Sequence, residues 1–210
     1  MSNPTLPPGI DKLYQKTKGN LFTKPGAGFL GSLLCKLEHR WTWDLPTAAI
    51  SSKILYWNPD FFMSLDPEQR ITVLAHELCH NMYMHGIRLN DRIPLLWNIA
   101  GDHVINLFLE EHGYKFNGLP ALKDPKYIGW ATDDVYDDLL KQGDQVEMKI
   151  DLGQDILPVP AEDAASALAD VIDANTAARL SKGSGTIPGE IVQEIDAYLN
   201  RLGRKLTAQS

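Results

Sequence analysis

Three histidines and a glutamate lie within one apolar stretch of the chain, VLAHELCHNMYMHGIR (residues 73–88). His76, Glu77 and His80 form the pattern His-Glu-x-x-His. Residues four apart on a helix share a face and lie about 6 Å apart along its axis, so the two imidazoles can bind one tetrahedral cation. Glu77 then points beside the cation, where it can act as a base on water. The stretch therefore predicts a catalytic metal site with His76 and His80 as ligands.

The third ligand must come from elsewhere if the site keeps an open position for water. His85 is a poor candidate, because it would face away from the pair if the helix continued, and a histidine in a last turn also interacts with the helix dipole. The segment PLLWNIAGDHVINLFLEE (residues 94–111) is apolar nearly all round, which predicts a buried helix. Asp102 lies in that segment, and a cation would compensate a buried carboxylate. We therefore assign Asp102 as the third ligand.

Two asparagines flank Asp102 at four-residue spacing. Asn98 and Asn106 are predicted to lie on its face of the helix and to support the metal ligands by hydrogen bonding. His103, about 100° away, is a rival ligand and could equally be a supporting group or a transition-state donor. The plainer alternative is a set of ordinary core histidines and a hydrogen-bonded structural aspartate. Burial of the whole cluster favours the metal, because buried ionisable groups need partners.

Composition limits the class of protein. The chain has 210 residues, 20 lysines and arginines, 27 aspartates and glutamates and a net charge of −7, which disfavours nucleic acid as a partner. Two cysteines cannot build a disulfide framework and suggest a reducing compartment. The start lacks the features of a signal peptide, and no stretch reaches the apolar length of a membrane helix. We expect a cytoplasmic protein with no membrane contact.

The elements around the histidine pair are also predictable. Asp66, Pro67 and Gln69 carry the signals of a capped helix start, and Gly86 fits its stop. Short β-leaning runs on either side of residues 51–53 predict a strand pair, whereas residues 28–41 are predicted to form one helix. Helices are also predicted near residues 132–143, from about 161 and from Pro188, and a strand within residues 145–160. We expect a single domain over residues 1–210, with a core at about 25–140 and a helical C-terminal part at about 160–205.

Three segments together carry a family resemblance. Residues 47–88, LWNIAGDHVIN (96–106) and ATDDVYDDLL (131–140) are similar to the metallopeptidase domain of bacterial and phage proteins, whose bacterial relatives often carry a von Willebrand A-type module. The resemblance continues more weakly through the C-terminal part. It implies a zincin-like fold in which His76, His80 and Asp102 hold the metal and Glu77 is the base.

These observations predict an α+β, mostly α fold, zincin-like, with a small antiparallel sheet and the metal between two buried helices. The leading hypothesis is a zinc-dependent peptidase that acts on a peptide or protein, with the strand pair as the edge that takes up substrate. The alternative is a catalytically silent module that keeps its metal and binds a protein partner, and a weaker third option is a metal hydrolase with another substrate. The oxyanion donor stays open among four side chains, which are Tyr56, Tyr83, His85 and His103.

Overall fold

The computed structural model describes residues 4–24, 27–142, 159 and 161–180. Helices dominate this part of the chain, and their bounds are Ile10–Leu21 (α1), Ala27–Lys36 (α2), Pro59–Ser64 (α3), Pro67–Met82 (α4), His85–Arg88 (α5), Pro94–Glu111 (α6), Thr132–Gln142 (α7) and Ala161–Leu180 (α8). One 3₁₀ turn spans Pro125–Tyr127. With one small sheet beside these helices, the prediction of a mostly helical α+β fold is confirmed.

The sheet has three strands, Glu38–Trp41 (β1), Ala48–Ile50 (β2) and Ile54–Trp57 (β3), in the order β1-β3-β2. Strands β2 and β3 pair antiparallel as the predicted hairpin. Strand β1 pairs parallel with β3, so the sheet is mixed and not purely antiparallel as predicted. The parallel strand needs the long connection that the following loop and β2 supply.

Strand β1 was predicted to be the last turn of a helix that instead ends at Lys36. Two backbone hydrogen bonds hold the ends of β1 beside β3. The amide of Glu38 donates to the carbonyl of Lys53, the residue before β3 (2.8 Å), and the amide of Thr42, the residue after β1, donates to the carbonyl of Trp57 (2.9 Å). Trp41 also packs edge-on against Phe62, with 5.2 Å between ring centroids. These partners lie far along the chain, and they override the local helical pattern.

Helix α4 lies at the centre of the fold and contacts α1, α2, β2 and α6. Its start is a complete capping box, in which the Asp66 side chain accepts from the amide of Gln69 (2.8 Å) and the Gln69 side chain accepts from the amide of Asp66 (2.7 Å). Helix α6 packs against it and begins at Pro94 as predicted. The histidine pair and Asp102 therefore come from two neighbouring buried helices.

The end of α4 differs from the prediction. The helix stops at Met82, and Met84, not Gly86, takes the left-handed conformation (φ 57°) before α5 begins. This conformation is unfavourable for a side chain with a Cβ. It is stabilised by side chains that bind the carbonyls of the turn, with Trp97 Nε1 donating to His85 (2.9 Å) and Arg88 donating to Tyr83 (2.9 Å). The break turns His85 back towards α4.

Helix α8, predicted from its alanine-rich sequence, packs against α2. Lys36 of α2 forms ion pairs with Asp170 (2.9 Å) and Asp173 (3.1 Å) of α8. The predicted strand within residues 145–160 and the predicted helix from Pro188 lie outside the described residues. In the described part of the chain, no helix combines the length and apolar character that crossing a bilayer requires.

Candidate metal centre

Helices α4 and α6 bring three nitrogen and oxygen atoms together. The Nε2 atoms of His76 and His80 lie 3.0 Å apart, and Asp102 Oδ1 lies 3.5 Å and 3.4 Å from them, respectively. Ligands about 2.0–2.1 Å from a tetrahedral zinc ion are themselves about 3.3 Å apart. The three atoms therefore match three corners of a tetrahedral site, as the sequence pattern suggested.

The environment of Asp102 supports a cation at this position. Its Oδ1 atom is buried and accepts no hydrogen bond from the described residues. A carboxylate oxygen left in this state is costly, and a divalent ion held jointly with two imidazoles would compensate it. The His76 side chain is 12% exposed whereas that of His80 is 1% exposed, so solvent reaches the site more readily at His76 than at His80.

The two predicted asparagines contact the candidate ligands. Asn106 Oδ1 lies 2.9 Å from His76 Nδ1, so it can accept a proton from Nδ1, and the lone pair of Nε2 then points to the candidate metal position. Its amide nitrogen donates to the carbonyl of Leu122 (3.2 Å), which fixes the amide orientation. Asn98 donates to the second oxygen, Oδ2, of Asp102 at 3.3 Å. Each asparagine thus orients one candidate ligand.

His85 lies directly behind His80, although it was expected to face away. Its Nδ1 is 3.0 Å from His80 Nδ1, and its Nε2 is 3.0 Å from the hydroxyl of Thr132 at the start of α7. If His80 uses Nε2 for a metal, its Nδ1 carries the proton and donates to His85, which in turn donates from Nε2 to Thr132. His85 therefore contacts His80 from behind and is not one of the three side chains whose donor atoms converge.

The sequence did not identify Thr132 as a site residue, because a threonine at a helix start is usually interpreted as a helix cap. Thr132 is fully buried. The next residue, Asp133, forms ion pairs with Arg88 of α5 (2.6 Å) and with Arg92. The start of α7 is thereby fixed to the segment that carries His85. The sequence signal for Thr132 was that ATDDVYDDLL carries the family resemblance together with the two segments that contain the histidine pair and Asp102.

Electrostatics favours the protonation states that a metal needs. Burial, followed by the neighbouring His76 charge, lowers the pKa of His80 to about 4, even though Asp102 opposes this change. Burial also lowers the pKa of His85 well below its ordinary value. Burial alone would raise the pKa of Asp102, but its interactions with the neighbouring His76 and His80 side chains outweigh burial, so the pKa is lowered. Near neutral pH the centre therefore offers a neutral His80 imidazole and an ionised Asp102 carboxylate.

The ring of His85 occupies the position next to Gly101 that a side chain there would fill. A Cβ at this position would lie 2.7 Å from Cε1 and 2.8 Å from Nδ1 of the His85 ring. We expect Gly101→Ala to lower the free energy of unfolding by about 1–3 kcal/mol through overpacking and the affinity for zinc by about 10–100-fold, because His80 loses its support. Chemical denaturation and zinc titration measure the two effects.

Gly19 of α1 supplies the matched control for that substitution. No atom lies within 4 Å of a Cβ built there, so Gly19→Ala is expected to stabilise the protein by about 0.5–1 kcal/mol with no effect on zinc. A Gly101→Ala variant as stable and as tight for zinc as the Gly19→Ala variant would contradict the assigned role of His85.

Glu77 is 2% exposed and lines the same cleft as His76 and Asp102. The cleft has a volume of about 250 Å³ and lies between α4, α6 and the loop of residues 116–122. A general base would have to lie where Glu77 does, in the wall of a cleft that two candidate metal ligands also line.

His103 takes no part in this cluster. Its Nδ1 accepts from the amide of Asp124 (3.1 Å), and its ring packs edge-on against Tyr127 at 5.0 Å between centroids. Among the described residues, the group of side chains able to hold a metal consists of His76, His80 and Asp102. None of the four side chains considered as oxyanion donors, His103 included, lines the cleft.

Comparison with known proteins agrees with this chemistry. No curated protein and no solved structure matches the chain at a significant level. A family profile described as "Putative metallopeptidase domain" matches residues 12–193. This range contains the histidine pair, Glu77, Asp102 and Thr132, and it covers most of the 210 residues. The chain therefore belongs to this metallopeptidase domain family.

Proposed function

We propose that the protein is a zinc-dependent peptidase in which His76, His80 and Asp102 hold the ion and Glu77 is the general base. One observation carries the proposal: three donor atoms converge, and two of their side chains, His76 and Asp102, line a cleft of about 250 Å³ together with the buried carboxylate of Glu77. Family membership supports metal-dependent peptidase chemistry in general. Two imidazole nitrogens and one carboxylate oxygen at these spacings suit zinc, because three protein ligands and one open position are typical of its catalytic sites.

The side chains would share the work as follows. A bound zinc ion supplies Lewis-acid chemistry that makes water a competent nucleophile near neutral pH. Glu77 would remove a proton from the attacking water as its oxygen bonds to the peptide carbonyl carbon, and would deliver that proton to the amine that leaves when the C–N bond breaks. Asn106 and His85 hold the imidazoles of His76 and His80, and Asn98 holds the carboxylate of Asp102, so that the donor atoms stay in place during turnover.

The substrate would reach the site through the cleft and not along the whole of strand β2. The three residues of β2 are each at most 3% exposed, which leaves little room for a peptide to pair with the strand. Thr47 and Ala48, however, line the cleft. A peptide or protein substrate would therefore touch the sheet only at the beginning of β2.

A digest of a mixed peptide library tests the proposal. We expect zinc-loaded protein to cleave peptides, a chelator to stop the cleavage and added zinc to restore it. Stoichiometric zinc without cleavage would leave the silent metal-binding module as the better description. Protein that binds no zinc at all would contradict both descriptions.

A further inference from the structure

Apart from the side chains of the metal centre and two threonines, Thr47 and Thr72, the cleft beside the metal centre is lined by apolar residues. Its walls away from His76, Glu77 and Asp102 are formed mainly by five side chains from three separate parts of the chain, Phe61, Val73, Phe116, Leu119 and Leu122. A cavity of about 150 Å³ is large enough to take a benzene ring. At about 250 Å³, this cleft has room for a leucine, methionine or phenylalanine side chain.

The outer wall of the cleft is fixed to the helices that carry the metal ligands. The Thr72 hydroxyl of α4 donates to the carbonyl of Lys115 (2.7 Å), and Gln69 donates to that of Asn117 (3.1 Å). At the other end of the loop, Asn106 of α6 donates to the carbonyl of Leu122 (3.2 Å). The apolar wall therefore keeps a defined position relative to the metal centre, which is a requirement for selecting a side chain.

The apolar part lies within reach of a side chain that flanks the reacting position. Val73 precedes Glu77 by one turn of α4, about 6 Å along the helix axis. One residue of an extended peptide spans about 3.3–3.6 Å, and its side chain reaches further. A peptide whose carbonyl lies beside Glu77 would thus place a flanking side chain against Val73 and the facing loop.

Charge disfavours acidic and basic side chains in this cavity, and size disfavours small ones. No lysine or arginine is among the described residues that line the cleft, so an acidic side chain would be desolvated there without a partner. A basic side chain would pair with Glu77 or Asp102. It would then compete with the metal for Asp102 and with the water for Glu77. A small side chain would leave much of the cavity unfilled.

We propose that this cavity receives a bulky apolar side chain next to the scissile bond, so that the protein cleaves peptides beside leucine, methionine or phenylalanine. The inference rests on the proposed peptidase function and specifies its substrate class. The residues that determine the specificity are Val73 of α4 and Phe116, Leu119 and Leu122 of the facing loop.

Sequencing of the cut ends from the library digest tests this directly. We expect one position beside the cut to be enriched in leucine, methionine and phenylalanine, at rates at least about 10-fold above those for alanine or aspartate. Leu119→Lys would place a cation in the wall and is expected to shift the preference at that position towards aspartate and glutamate. Val73→Trp would fill the cavity and is expected to favour glycine and alanine.

Leu140→Lys is the control, because Leu140 is 49% exposed on α7 and does not line the cleft. It should cleave like the wild type. Cleavage without side-chain preference, or a preference that neither cleft variant alters, would overturn the inference and leave the peptidase function intact. Equal acceleration of all peptides by Leu119→Lys would show that a segment of the chain itself fills the cavity, which also overturns it. Absence of any cleavage by zinc-loaded protein would instead overturn the peptidase function.

Discussion

Glu77→Gln is expected to reduce peptide hydrolysis by about 100- to 10,000-fold while zinc stays bound, because positioned acid–base catalysis contributes a factor of this size. Glutamine keeps the shape of the side chain, but it cannot accept a proton from water. Glu77 is not one of the three side chains grouped as metal ligands, so the zinc content should not change. Rates on a cleaved peptide and zinc content by elemental analysis are measured on the same sample.

Glu111→Gln is the matched control for that variant, since Glu111 is exposed at the end of α6. It should retain full activity. If Glu77→Gln keeps more than about a tenth of the wild-type rate, proton transfer by Glu77 is not the source of catalysis and the proposed mechanism fails.

Asp102→Asn is expected to weaken zinc binding by more than about 100-fold, which exceeds the effect of losing a group that only supports a ligand. The substitution removes the charged oxygen that lies 3.4–3.5 Å from both imidazole nitrogens. A second readout is thermal stability, because a ligand that binds only the folded state raises the stability of that state. Zinc should raise the melting temperature of the wild type and not that of the variant.

Asp134→Asn controls for the loss of an acidic group, because Asp134 is exposed in the first turn of α7. Its zinc affinity and its zinc-dependent stabilisation should equal those of the wild type. If Asp102→Asn were to bind zinc as tightly as Asp134→Asn, Asp102 would be an ordinary buried residue, and another group would have to complete the site.

The parts of the fold with strong local signals were predictable. The capping box of Asp66 and Gln69, the apolar periodicity of α4 and the uniformly apolar α6 each gave the correct element. The spacing of Asn98, Asp102 and Asn106 likewise predicted which side chains would share a face. In the structure Asn106 contacts His76, and Asn98 donates to Asp102. These features depend on neighbours within a few turns of one helix.

The parts that depend on distant partners were not predictable. Strand β1 forms because β3 accepts it as a neighbour, and no local pattern reveals that pairing. The early end of α4 depends on hydrogen bonds from Trp97 and Arg88, and His85 was misjudged because its position follows from that break. The contact of His85 with Thr132 joins residues 47 positions apart, a distance at which spacing carries no information.

X-ray absorption at the zinc edge of the reconstituted wild-type protein tests the central claim most directly. We expect one ion per chain, two imidazole nitrogens and additional oxygen ligands at about 2.0–2.1 Å, and no sulfur at about 2.3 Å. Protein that holds no stoichiometric zinc, or a spectrum with a single imidazole or with sulfur from a cysteine, would contradict a centre formed by His76, His80 and Asp102.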